Sequence, residues 1–351
     1  MSEKYFLGAV CGGKFRTEFP QMLSDENCFT YILKGGAGTG KSSLMKRVAE
    51  HFEHDCRVQR WYCSSDPDSL DAVVIPEHHA AICDGTAPHV FEPVYPGVSQ
   101  QYIDLGRFWD RAVLSRDRAK LTEAADANKA LLASSSRYNE AASVIFTDTL
   151  RIGEACLDRA KSEKLTEELS DNLFKSKKGS GGRLFFRRLT ALTGSGVITH
   201  YETAADCKTV YLLRDELSAA SDALLKKLAD LCVKLGFDAV VSPSQLVDGT
   251  YQHLVIPELS AAFLSDTGTE PPFKAEPLEL TRLYRPDKLT EMSERIAINK
   301  RFAEKLSEEA SHLLREAKAV HDVLESFYIS AMDFSAVDTL TSRLISEIEK
   351  M

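Results

Sequence analysis

Eight residues in the first part of the chain have the types and the spacing of a phosphate-binding loop. Residues 35–42 read Gly-Gly-Ala-Gly-Thr-Gly-Lys-Ser and match the pattern G-x-x-x-x-G-K-[ST]. Glycines let backbone N–H groups turn toward phosphate oxygens, Lys41 would reach the β/γ-phosphates, and the Ser42 hydroxyl would bind Mg²⁺. The sequence therefore predicts ATP binding by Gly35, Gly36, Ala37, Gly38, Thr39, Gly40, Lys41, Ser42 and Ser43.

The segments on either side of the loop have the patterns of the strand and the helix that must hold it. Residues 29–34 form a short apolar run rich in β-formers, which predicts a strand. After the loop, apolar side chains recur at three- and four-residue steps, which predicts a helix. A helix that begins at the loop points its N-terminal N–H groups at the bound phosphate. The apolar positions of this helix are Leu44, Met45, Val48, Ala49 and Phe52.

Acidic residues that follow two further apolar runs are candidates for the chemistry. Asp84 ends the run 80–84, and a phosphate-loop NTPase needs such an acid to hold Mg²⁺ through water. A turn residue in Asp-Gly-Thr is the other interpretation of Asp84. In the polar loop 64–71, Asp66, Asp68 or Asp71 could orient an attacking water or bind a second metal. A solvated turn with an aspartate capping a helix is the alternative for this loop.

The chain contains similar segments twice, roughly 180 residues apart. Residues 31–34 (Tyr-Ile-Leu-Lys) return as 211–214 (Tyr-Leu-Leu-Arg), and 74–77 (Val-Ile-Pro-Glu) return as 255–258. The common order and nearly constant offset favour a tandem duplication. Because Glu77 and its counterpart both remain, we interpret the Pro-Glu pair as structural rather than catalytic.

The duplication predicts two lobes, at 1–178 and 179–351, each an α/β fold of the phosphate-loop NTPase class. Each lobe is expected to end in a charged antiparallel helical hairpin, at about 107–174 in the first and about 286–351 in the second. In the second tail a heptad-like seam is predicted. Its members are Phe302, Leu306, Leu313, Ala317, Val320, Leu324 and Phe327.

The second lobe lacks the chemistry of the first. Ser265 stands where the first lobe has Asp84, so the acid and the lysine are missing together. Two carboxylates where phosphates would lie repel a triphosphate. We therefore expect a structural or regulatory lobe without a functional phosphate loop. The residues opposite Gly35, Gly40, Lys41 and Ser42 are Asp215, Ala220, Ser221 and Asp222.

Composition limits the class of protein and its partners. The 351 residues carry a formal net charge of −9, which argues against bulk nucleic-acid binding. No apolar run approaches the roughly 18 residues of a membrane span, and the run 6–11 is too short for a signal peptide. The eight cysteines show no C-x-x-C pair and are expected to be reduced thiols. These features favour a cytoplasmic protein without membrane contact.

Two further groups of residues have weaker signals. The basic stretch 175–188 is interpreted as an exposed linker; an arginine reaching the γ-phosphate, or a contact with nucleic acid, are the alternatives. A zinc site is not favoured, because the spacing of the nearby cysteines and histidines matches no zinc-binding scheme. These residues are Cys63, His78, His79, Cys83 and His89.

Four segments together resemble a known family. They are 34–46, 63–71, 74–77 and 84–89. The combination resembles a little-characterised bacterial family of two-lobed phosphate-loop ATPases, described as ATP-binding or nucleotide-kinase-like proteins. The resemblance covers nearly the whole chain, and Ser-Asp-Pro-Asp-Ser-Leu-Asp is its most specific segment. It implies ATP binding at 35–43. Members can carry a Gly-Lys-[ST] loop in the second lobe as well, and this chain does not.

The leading functional interpretation is an ATPase switch. The first lobe would bind and slowly hydrolyse Mg-ATP, and the inactive lobe and helical arms would relay its state to a protein partner. Lys41 would neutralise phosphate charge, Ser42 and Asp84 would hold Mg²⁺, and Asp66 or Asp68 would orient water. A small-molecule or nucleotide kinase, and an ATP-sensing adaptor without turnover, are the alternatives. GTPase and transporter ATPase signatures are missing from the sequence.

Overall fold

The computed structural model describes residues 3–22, 27–87, 90–175, 179 and 181–351. Within these ranges the chain is a mixed α/β protein with two large sheets, a small hairpin and long helices. The expected lobe boundary at 178/179 falls partly outside the described residues.

The first sheet has seven strands in the order β2-β1-β4-β5-β6-β3-β7. In it β3 lies between β6 and β7 and runs parallel to both, and β5 runs antiparallel to its neighbours β4 and β6. The carboxyl ends of β3, β4 and β6 therefore meet the first residues of β5 at one edge. The strands are β1 (Glu3–Cys11), β2 (Lys14–Thr17), β3 (Phe29–Lys34), β4 (Gln59–Cys63), β5 (Leu70–Ile75), β6 (Ala80–Asp84) and β7 (Gln100–Asp104).

The second sheet has six strands in the order β15-β11-β14-β13-β12-β8, and a hairpin of β9 and β10 precedes most of them in the chain. Its pairings repeat the parallel and antiparallel directions of the first sheet, strand for strand, and the described residues contain no equivalent of β2. The strands are β8 (Leu184–Phe186), β9 (Thr190–Thr193), β10 (Gly196–Thr199), β11 (Thr209–Arg214), β12 (Ala239–Pro243), β13 (Tyr251–Ile256), β14 (Ala261–Ser265) and β15 (Glu276–Glu279).

Helices cover both sheets, and two of them exceed 35 residues. One helix follows β3 and another follows β11, so each sheet has the same strand–loop–helix unit. The helices are α1 (Phe19–Met22), α2 (Lys41–Phe52), α3 (Arg111–Arg116), α4 (Arg118–Cys156), α5 (Arg159–Leu173), α6 (Ala219–Leu235), α7 (Pro286–Ile329) and α8 (Phe334–Ile348).

The long helices α4 and α7 pair with each other along their length and run antiparallel. The Asn128 side-chain amide donates to the Ala317 carbonyl at 2.9 Å, and Asp148 binds Arg295 at 2.6 Å. The sequence predicted one helical hairpin within about 107–174 and another within about 286–351. The structure instead pairs the long helix of the first segment with the long helix of the second. The physical reason is that small side chains form the buried face of α7 and let the helices approach closely, whereas Phe302 is 47% exposed.

The shorter helix of each tail packs on the sheet of the other half. Val337 and Leu344 of α8 lie in one apolar core with α2 and the first sheet, and Leu165 of α5 lies in another with α6 and the second sheet. A third core lies between the two sheets, where Trp61 and Leu264 are fully buried. Because buried side chains of both sheets pack together in this third core, the two halves form one body.

Candidate functional site

The glycine-rich loop lies between the central strand β3 and helix α2, the two elements that the sequence predicted. Gly38 has a φ of +65° and Gly40, which precedes the helix, has a φ of +82°. L side chains rarely adopt this left-handed backbone, so glycine is required at both positions for the loop to close. The N-terminus of α2 consequently faces the carboxyl edge of the sheet, where α/β folds bind ligands.

Lys41 and Asp84 meet at the base of this loop. The Lys41 ammonium donates to the carbonyls of Gly35 at 2.8 Å and Gly36 at 2.7 Å, and lies 3.6 Å from the Asp84 carboxylate. Asp84 ends β6, which runs parallel to β3, so register alone brings it beside the loop. Their side chains are only 12% and 16% exposed. Burial raises the pKa of Asp84 above its usual value, and the Lys41 charge partly offsets this rise.

Ser42 and the start of β5 complete this side of the site. The Ser42 hydroxyl accepts a hydrogen bond from the Leu70 backbone N–H at 3.0 Å. The next residue, Asp71, is 6% exposed and lines the same cavity. Ala72 pairs with Cys83 in antiparallel register, so Asp71 and Asp84 lie at neighbouring positions, and the Asp71 charge contributes to the raised pKa of Asp84. In the sequence Asp71 is one of three candidate acids of the polar loop; an antiparallel strand that begins at the ligand edge is the signal that singles it out.

The other two acids of the polar loop lie in different environments. Asp66 lines the cavity, accepts a hydrogen bond from the Ser69 hydroxyl at 2.7 Å and lies 3.7 Å from the Lys318 ammonium. Asp68 is exposed and is not among the residues that line the cavity. Of these two predicted residues, only Asp66 is therefore brought to the loop.

A cavity of about 730 Å³ extends from the loop to the paired helices α4 and α7, within the range of small-molecule sites. Helix α7 covers the loop, a contact that no local sequence pattern predicted. The Gly38 N–H donates to the Glu325 carboxylate at 3.2 Å, and a Cβ on Gly38 would lie 2.7 Å from the Glu325 carbonyl oxygen. The side chains that α4 and α7 contribute to the cavity are Asn128, Leu132, Leu314, Ala317, Lys318, His321, Glu325 and Ile329.

The equivalent loop of the second sheet is filled from within. The Asp215 carboxylate accepts hydrogen bonds from the Ser221 N–H at 2.8 Å, the Leu217 N–H at 3.2 Å and the Tyr284 hydroxyl at 2.7 Å. Asp222 accepts from the Tyr251 N–H at 2.7 Å, as Ser42 does from Leu70. The cavity here is about 230 Å³. An internal anion thus holds the donors that a phosphate would need.

The basic stretch 175–188 does not reach the cavity with the residues that the structure describes; Lys177 and Lys178 lie outside them. Arg183 binds Asp238 at 2.7 Å, and the Arg187 guanidinium lies 4.8 Å from the centre of the Trp61 ring. Arg188 is 3% exposed and lies 3.3 Å from the carboxylate of Glu18. The cation that faces the loop from across the cavity is instead Lys318 of α7.

The weaker sequence signals have structural roles or lie elsewhere. Glu77 is exposed and binds Arg57 at 3.1 Å. In the described part of the chain, which leaves out His89, no group of three or more His, Cys, Asp or Glu side chains could hold a metal ion. All eight cysteines are free thiols. None of the described helices is both long and apolar enough to cross a membrane.

Comparison with known proteins provides no relative on which to map the site. No family model, curated protein or solved structure matches the chain. The functional assignment therefore depends on the geometry of the loop, the cavity and the helices around them.

Proposed function

We propose that the chain is a Mg²⁺-dependent ATP-binding protein that hydrolyses ATP slowly in its first half. The observation that carries this proposal is the meeting of Lys41, Ser42 and Asp84 at a glycine-rich strand–loop–helix turn beside a large cavity. The nucleotide state would be relayed to a protein partner through α4, α7 and the second half.

The residues of the loop fit the phosphate chain of a nucleotide. Backbone N–H groups at the start of α2 and in the left-handed turns at Gly38 and Gly40 supply donors for anionic oxygens. The Lys41 ammonium is held at the loop by two carbonyls and carries the charge that neutralises the β/γ-phosphates. ATP binding at 35–43, which the family resemblance implied, belongs to the same proposal.

The oxygen groups beside the loop fit Mg²⁺, which prefers hard oxygen ligands and keeps several waters. The Ser42 hydroxyl uses one lone pair on the Leu70 N–H and retains the other. Asp84, with Asp71 close by, supplies carboxylate oxygens for the waters of the ion. When bound, the ion neutralises charge that develops between the β- and γ-phosphates.

The proposed catalytic roles follow from which acids line the cavity. Asp66 faces the cavity between the loop and Lys318, so it is the better placed residue to orient an attacking water. Asp68 is exposed, and we keep it only as a neighbour of this site. Both carboxylates are hydrogen-bond acceptors when ionised. The orienting residue would therefore accept a hydrogen bond from the attacking water, and the water oxygen would attack phosphorus.

The finer fold assignment is part of the proposal. The shared strand order of the two sheets, and the equal roles of Ser42 and Asp222, support a tandem duplication of a phosphate-loop lobe whose second copy has lost its function. The eight free thiols agree with the cytoplasmic location that we infer.

A kinase is the second candidate function, and the extent of the cavity favours it. Beyond the loop, the cavity continues to the apolar side chains of Leu132, Leu314 and Ala317 on α4 and α7. In this second candidate function, these apolar side chains would contact a small acceptor for the γ-phosphoryl group.

Purified protein with radiolabelled Mg-ATP separates these functions. Phosphate release without an added acceptor supports the ATPase, whereas labelled product only with an added acceptor supports the kinase. ATP binding without any turnover would support the ATP-sensing adaptor. In each assay the Lys41→Ala protein is the control, and equal turnover by that variant would contradict a reaction at this loop.

A further inference from the structure

One face of α7 lies directly over the phosphate loop. The Glu325 carboxylate accepts a hydrogen bond from the Gly38 N–H at 3.2 Å, and Tyr328 and Ile329 contact the same turn. Lys318 and His321 lie on this face as well and line the cavity. The loop donor that a phosphate oxygen would use is therefore already bound to an anion of the same chain.

The surroundings of Glu325 keep it ionised. His321, one helical turn earlier, lies 3.5 Å from the carboxylate and is the main cause of the lowered pKa of Glu325, with the Gly38 N–H contributing. A charged carboxylate forms a stronger hydrogen bond with a backbone N–H than a neutral group does. Glu325 consequently imitates one phosphate oxygen in charge and in position.

We propose that Glu325 is a specificity-determining residue: it occupies the loop until the phosphate chain of a nucleotide displaces it. This inference rests on the proposed nucleotide site. Because the carboxylate must give up the Gly38 N–H, only a ligand with several phosphate oxygens gains enough new hydrogen bonds, and a single phosphate is excluded.

The second half shows what a permanent occupant looks like. Asp215 belongs to its own loop, and three donors hold it, including the Tyr284 hydroxyl at 2.7 Å. Glu325 comes from a distant part of the chain and makes one bond to the loop. Glu325 is therefore displaceable, whereas Asp215 is fixed in its own loop.

Displacement would also reach the other half of the molecule. Helix α7 pairs with α4 along its length, and α4 approaches the second loop so closely that a Cβ on Gly153 would lie 2.8 Å from that of Ala219. A shift of Glu325 thus acts on a pair of helices, of which α7 contacts the first loop and α4 contacts the second. This assigns α7 as the first step of the proposed relay.

The test compares two Glu→Gln variants on the same helix. Glu325→Gln removes the charge at the loop, whereas Glu316→Gln changes an exposed glutamate with the same spacing to a histidine, His312 at 3.5 Å. In titration calorimetry with Mg-ATP we expect Glu325→Gln to bind roughly tenfold more tightly than the wild type. Glu316→Gln should bind like the wild type, and Glu325→Ala should also bind more tightly.

Trp109 provides a second readout in the unmodified protein. Its ring lies 3.5 Å from an ideal Cβ on Gly36, and its centre lies 5.4 Å from that of Tyr328 on α7. Movement of α7 should change its fluorescence on addition of Mg-ATP, and Trp109→Phe should remove this change. Inorganic phosphate, added alone, should change neither fluorescence nor heat.

The outcomes separate this inference from the proposed function. If Mg-ATP binds but both Glu325 variants keep wild-type affinity and Trp109 is silent, Glu325 does not gate the loop and only this inference fails. If the wild type and both Glu325 variants all fail to bind Mg-ATP, the proposed function fails and this inference with it. Binding by the Glu325 variants alone would support both.

Discussion

The two strand–loop–helix units of the molecule differ in whether the loop contains its own acidic side chain. In the first half, glycines at positive φ and Lys41 surround a cavity of about 730 Å³. In the second half, Asp215 fills the turn and the cavity shrinks to about 230 Å³. The same strand–loop–helix arrangement can thus contain an acid that fills its own turn, as at Asp215, or leave the turn open to a large cavity, as at Gly35 to Ser42.

The comparison also divides the role of Ser42 into two parts. Asp222 occupies the equivalent position and accepts a backbone N–H from the start of β13, as Ser42 accepts one from the start of β5. In both halves this hydrogen bond joins the helix to the sheet. Only the first half has a neutral hydroxyl at this position, and a hydroxyl oxygen, unlike a carboxylate, does not repel phosphate.

The largest expected effect comes from the lysine. Lys41→Ala should weaken Mg-ATP binding by about a hundredfold or more, because it removes a largely buried cation from the phosphates. The equivalent change, Ser221→Ala, should leave affinity unchanged. Calorimetry on both variants measures this, and equal losses in the two would contradict a single site.

The acid beside the lysine should affect turnover more than binding. Asp84→Asn is expected to lower the rate of phosphate release by about a hundredfold while nucleotide affinity without Mg²⁺ is retained. Ser265, at the same position of the second half, is the matched control, since Ser265→Ala should leave the rate unchanged. A normal rate in Asp84→Asn would remove this residue from the site.

The fixed anion of the second half should matter for stability rather than for nucleotide binding. Asp215→Ala leaves the N–H groups of Leu217 and Ser221 and the Tyr284 hydroxyl without their acceptor, which should cost about 2–3 kcal/mol of unfolding free energy in urea. Glu216→Ala, a change at an exposed ion pair next to it, should cost close to nothing.

A difference between the halves is also expected with pH. Burial lowers the pKa of His253 to about 3, and its counterpart on the first sheet, Ala72, cannot titrate. Since the unfolded histidine titrates near 6.5, its contribution to stability is complete above that pH. Below pH 6.5 the free energy of unfolding falls by about 1.4 kcal/mol for each pH unit, until the pH approaches 3. Hydrogen exchange should therefore lose protection in β13 before β5, and equal loss in both strands would contradict this.

The sequence predicted the local part of the site. A strand, a glycine-rich turn and a helix form from neighbouring residues, and Asp84 follows from the rule that parallel strands end at one edge. Asp71 was harder to single out, because its position depends on β5 running antiparallel to its neighbours.

The cover of the site depends on contacts that local pattern cannot predict. The spacing in 302–327 indicated a helix with a packing face, yet nothing in that spacing says that its partner is α4 or that it ends over the loop. Glu325 lies nearly 290 residues beyond Gly38 in the chain, so only the tertiary structure brings them together.

The most direct test is a crystal structure of the chain with a non-hydrolysable ATP analogue and Mg²⁺. We expect one nucleotide per chain, with its phosphates at Gly38 to Ser42, the Glu325 carboxylate released from the Gly38 N–H, and Asp215 still in its own loop. A nucleotide bound at Asp215 to Asp222, or well-diffracting crystals at saturating analogue with no nucleotide at the first loop, would contradict it.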